Sequence, residues 1–185
     1  MARSKYIDSV LKAAGNKPQS VAWFRNKIKE FGTPKSMDLI RDGKRTSIPT
    51  FGLLNMFVYD PKLKDKLPYY DTFPLVLPIE QYNNGFLGIN LHYLSMPMRI
   101  RLLDRLTETA NNKKFDESTR LNADYSKLKN VNLIKPCLKR YLAGQVKSKF
   151  RKVGADEFII ATLLPVQKFK KQSDNHVFGK SRGMV

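Results

Sequence analysis

The chain has 185 residues, with 34 Lys and Arg against 16 Asp and Glu, a formal net charge of +18 and a sequence pI near 10.0. Its 42% hydrophobic content suffices for a packed core and argues against a globally disordered chain. No run approaches the roughly 18 apolar residues of a membrane span, Met1–Leu11 lacks the apolar region of a signal peptide, and one cysteine excludes an internal disulfide framework and fits a reducing compartment.

Taken in chain order, residues 3–14 are expected to form a short helix ending near Gly15. Val21, Phe24, Ile28 and Phe31 recur at helical spacing and predict a second helix, with Pro18 in its first turn and Gly32 just past its end. Residues 35–50 read as a polar loop. Leu53–Tyr59 reads as a strand stopped by Asp60-Pro61. Phe73–Ile79 reads as an edge or irregular strand, because Pro74 and Pro78 have no N–H to donate. Asn83-Asn84-Gly85 is a tight-turn signal that joins it to Phe86–Tyr93 as a hairpin. Ser95 and Pro97 open a helix that buries Ile100, Leu102, Leu103 and Leu106, with Arg101, Asp104, Arg105 and Glu108 on its solvated face. Further helices are expected over 116–128 and from Pro136 to Lys152, the latter burying Leu138, Leu142, Val146 and Phe150.

These elements predict an α+β fold: a small antiparallel sheet or partial barrel of about three strands over residues 53–93, packed by N- and C-terminal helices. The expected organisation is one compact domain over 1–165, helical in 1–40, strand-rich in 53–93 and helical in 97–165. A basic tail follows over 166–185.

The positive charge is concentrated towards both ends. Residues 1–36 hold eight bases and two acids, residues 73–96 only Glu80, and residues 136–165 six bases and two acids. Such a surplus favours a polyanionic partner. On the expected helix, Arg140, Lys147 and Arg151 fall within about 40° of one another, away from the apolar stripe. With Lys139, Lys152 and the tail residues Lys168, Lys170, Lys171 and Arg182 they form the candidate DNA-binding set, suited to phosphates and carrying no sequence code. Tyr69, Tyr70 and Tyr82 have faces that can stack on bases, but read as core and loop packing. Trp23 reads as cover for the stripe of its helix.

Enzyme signals are lacking. No phosphate-cradling Gly-rich loop, nucleophile elbow or His-Glu-x-x-His occurs. Asp116-Glu117 and Asp156-Glu157 are adjacent pairs, which a helix points about 100° apart; they read as first-turn acids. Cys137 reads as a buried structural thiol and His92 as a structural histidine. His92, His176 and a single thiol do not make a usual zinc site. No catalytic residue, metal ligand or cofactor is expected.

The run VYDPKLKDKLPYYDTFPLVLPIEQYNNGFLGINLHYLSMPMRIRLLDRL (Val58–Leu106), with WFRNKIKEFG (Trp23–Gly32) and KPCLKRYLAGQVKSKF (Lys135–Phe150), resembles a pattern in DNA end protector proteins, head-completion virion proteins of T4-like tailed phages, cyanophages included. Together these pieces cover most of the chain. The resemblance implies a non-enzymatic virion protein that binds the ends of the packaged genome and shields them from host exonuclease. Its partners would be DNA and other phage structural proteins, with no membrane. Its location would be the virion, and the host cytoplasm during assembly and early infection. A structural subunit of the phage neck, tail or baseplate would carry a similar block. In that alternative the basic surface docks on acidic proteins, and Pro68, Pro74 and Pro78 stiffen segments that lie along a neighbour.

Overall fold

The computed structural model describes residues 5–128, 130–132 and 134–182. Three helices come first: α1 (Lys5–Ala14), α2 (Val21–Phe31) and α3 (Ser36–Asp42). Strands β1 (Arg45–Thr46), β2 (Leu54–Met56), β3 (Tyr70–Asp71), β4 (Leu75–Tyr82) and β5 (Gly85–Asn90) follow, then helices α4 (Met96–Glu108) and α5 (Tyr125–Leu128). The remaining elements are β6 (Leu138–Leu142), β7 (Phe150–Val153), α6 (Phe158–Leu163), β8 (Phe169–Lys170) and α7 (Asp174–Arg182).

Helices α1, α2 and α4 follow their sequence signals closely. Ser20, not Pro18, opens α2: its hydroxyl accepts the Trp23 N–H at 3.1 Å, satisfying one of the free donors of the first turn. Gly32 ends it at φ +75°, a conformation that glycine adopts without a Cβ penalty. Phe24 and Ile28 are buried, while Phe31, at the last turn, stays exposed. α4 buries Leu102, Leu103 and Leu106 as the periodicity demands, and also the entire side chain of Arg99.

The main sheet is antiparallel throughout and has six strands in the order β1-β7-β2-β4-β5-β6, so the sheet is larger than expected. β4 and β5 form the anticipated hairpin, with Tyr82 paired to Gly85 across Asn83-Asn84. β4 is an interior strand, not an edge. Pro78 is accommodated because the register shifts between Pro78 and Glu80, where the ladder is already interrupted. The sheet curls so that Phe57, Phe86, Tyr141 and Phe150 converge on one face, with ring centroids 4.8–6.0 Å from Phe57. No ladder joins β1 to β6 among the described residues, so the barrel is not closed.

The other face carries the principal core. α6, apolar all round, is buried there against α1, α2 and α4. Residues 35–50 are not simply a loop: α3 buries Leu39 and Ile40, and β1 forms an edge strand on β7. Of the helix expected over 116–128, only α5 forms.

The largest departure concerns Pro136–Lys152, which is not a helix. A spacing of four fits a helical stripe and the two-residue period of a strand equally well. Here β6 pairs with β5 and β7 with β2, separated by a 3-10 turn over Ala143–Gln145. Residues 166–182 are likewise not a free tail. β8 pairs with β3, and α7 buries Val177 completely.

Candidate nucleic-acid interface

The strand geometry redistributes the expected DNA-binding residues. Arg140 and Arg151 lie on different strands and share no helical face. Arg151 is fully buried, and its Nη2 donates to Glu157 Oε1 at 3.0 Å. Gly43 packs so closely on the Arg151 side chain that a Cβ there would collide with it. Arg151 is therefore an internal ion pair and not a phosphate contact.

Lys139 is also committed to the protein. Its Nζ sits 4.0 Å from the centre of the Tyr93 ring, and burial lowers its pKa. Lys152 is half-buried and lines a cavity of about 320 Å³ with Lys44, Asp116, Glu117, Asp156 and Glu157. This brings together both adjacent acidic pairs, which the sequence left unrelated. Their roles are largely internal. Asp116 accepts from Ser118 N and Oγ, Glu117 pairs with Lys44 at 3.3 Å, and Glu157 accepts from Arg151 and the Gly154 N–H. Four carboxylates facing two lysines make this cavity unfavourable for phosphate. No group of three potential metal ligands occurs among the described residues.

One group of exposed cations lies on segments that backbone hydrogen bonds hold together. Asp60 N–H donates to Gln145 O, Tyr59 N–H to Thr72 O, and Thr72 N–H to Lys168 O, which sets four segments side by side. Lys147 N–H donates to Val58 O in the same arrangement. This construction assembles Lys62, Lys66, Lys147, Lys168 and Lys170, all exposed and with no ion-pair partner among the described residues. Lys64 is paired with Asp60 at 2.9 Å. Lys171 pins the neighbouring loop: its Nζ donates to Asp65 O at 2.9 Å and Leu67 O at 2.8 Å, from a left-handed backbone at φ +69°.

Lys62 and Lys66 were invisible as site residues because Asp60, Asp65 and Asp71 nearly cancel the charge of their segment. The available signal was the alternation Lys62-Leu63-Lys64-Asp65-Lys66 between Pro61 and Pro68, which marks an exposed turn. Arg140 is exposed and stacks on Tyr82. Arg182 ends α7, and its side chain lies outside the described residues.

A buried polar network fixes this surface from beneath. Asp71 accepts the N–H groups of Phe73 and Lys168 and the Nδ1–H of His92 at 2.8 Å. Burial alone would raise the Asp71 pKa, but His92 and the two backbone donors hold it below the usual range. Burial lowers the His92 pKa, against the pull of Asp71. Arg99 donates to the Leu94 and His92 carbonyls and to Gln167, which in turn donates to Asp174 of α7. Burial lowers the Arg99 pKa to about 10. Cys137 is buried in the main core, and its thiol is pushed up to about 12.

The molecule is thus a basic α+β protein with helices on one face of a curled antiparallel sheet and lysines turned outward from interlocked extended segments. Residues 3–182 match the family described as phage T4 terminal DNA protecting protein, and the chain belongs to that family. No curated protein and no solved structure matches it. No helix among the described residues is long and apolar enough to cross a membrane.

Proposed function

We propose that this is a non-enzymatic phage virion protein that protects the ends of the packaged genome, completes the head, and holds duplex DNA through its phosphates. The observation that carries the reading is the assembly of Lys62, Lys66, Lys147, Lys168 and Lys170 on one set of adjoining segments, with no carboxylate partner among the described residues. Membership of a terminal DNA protecting family supports DNA as the polyanion. Protection of ends of any sequence requires backbone contacts and not base reading, and ammonium groups on flexible stems provide that. Arg140 and Lys171 border the contact region. Lys139, Lys152 and Arg151 serve the fold.

The test is the salt dependence of affinity for a linear duplex. Five phosphate contacts give a log-log slope of about −4.5, a loss of about 500-fold between about 50 and 200 mM salt. Simultaneous Ala substitution of Lys62, Lys66, Lys168 and Lys170 is expected to reduce the slope by about 3.6. A flat salt response, or no binding at low salt, would refute the reading and favour docking on acidic virion proteins.

A further inference from the structure

The β4–β5 hairpin tip is built more rigidly than a surface turn requires. Gly85, at φ +152°, lets β5 approach β6 so closely that any side chain there would strike the Tyr141 carbonyl. The Ala143 N–H donates to Asn84 O at 2.9 Å, and Gln81 Nε2 donates to Tyr82 O and Gly85 O. Arg140 reaches from β6, donates to Asn84 Oδ1, and lays its guanidinium 3.9 Å from the centre of the Tyr82 ring. Although one face of the ring is covered, Tyr82 remains 37% exposed. Tyr141, by contrast, lies inward at 3%.

We propose that Tyr82, backed by Arg140, is a stacking platform for the terminal base pair of a duplex. This rests on the DNA-binding reading and adds what phosphate contacts cannot provide, a means of telling an end from the interior. Only an end exposes the π-face of a base pair, and a flat ring takes any base. Arg140 holds the ring from behind and places a positive charge where the terminal phosphates approach.

The experiment compares, with the full chain, a short blunt duplex and the same duplex closed at both ends by hairpin loops. The blunt form is expected to bind more tightly. Tyr82→Ala should reduce that preference about 5- to 150-fold, and Tyr82→Phe should retain it. A fluorescent adenine analogue in the terminal pair should be quenched by the unsubstituted chain and by Tyr82→Phe, but not by Tyr82→Ala. Equal affinity for the two duplexes, or a preference unchanged in Tyr82→Ala, overturns the platform and leaves phosphate binding standing. Absence of binding to either duplex at low salt overturns the DNA-binding reading itself.

Discussion

Replacing Arg151 by Met separates a structural role from a DNA contact. The substitution keeps most of the buried volume, removes the charge and leaves Glu157, 5% exposed, without its cation. Breaking a buried ion pair from one side costs about 3–5 kcal/mol. Two features lower that figure here. Glu157 lines the 320 Å³ cavity and keeps the Gly154 N–H, so water and one donor still reach it. Arg151 Nε and Nη1 are buried with no hydrogen-bond partner among the described residues, so their removal relieves an existing penalty. A net loss of about 2–3 kcal/mol follows, or roughly 4–12 °C in Tm for a chain of this size. The paired change Arg151→Met with Glu157→Gln should recover about half of it. Urea unfolding gives the stability, and duplex titration at low salt gives the affinity. A stability change below about 1 kcal/mol, or a loss of DNA affinity in the folded variant, would refute the assignment of Arg151 to the interior.

Two further outcomes follow from the same structure. The His92 pKa is depressed by burial, so the unfolded chain binds a proton near pH 6.5 that the folded chain refuses. Stability should therefore fall as pH drops below about 6.5, by up to about 1.4 kcal/mol per pH unit, and His92→Gln should flatten that decline in urea midpoints. Gly85→Ala should destabilise the chain by about 3 kcal/mol or more, because the new Cβ meets the Tyr141 carbonyl and the β5–β6 ladder must part; thermal unfolding reads this directly.

What could be read from the residues, and what could not, follows from the range of the forces involved. The hairpin at Asn83-Asn84-Gly85 and the helices α2 and α4 were legible, since turn chemistry, capping and periodicity act within a few residues. The strands β6 and β7 were not, because spacing by four among Leu138, Leu142, Val146 and Phe150 does not distinguish helix from strand. Pairing with β5 and β2, distant in sequence, decided the matter. The same applies to charge. Lys168 and Lys170 were recognised and are exposed. Arg151 looked equivalent, yet its fate depends on Gly43 and Glu157 meeting across the fold. Lys62 and Lys66 were concealed by nearby acids, of which Asp71 is buried and Asp60 is paired with Lys64.

The most direct measurement is digestion of blunt linear duplex by a processive exonuclease in the presence of the full chain. At low salt and saturating protein, the ends should survive, and protection should be lost as salt is raised or when Lys62, Lys66, Lys168 and Lys170 are replaced together. Digestion at the rate of naked DNA under saturating protein, or protection indifferent to those four lysines, would contradict the account.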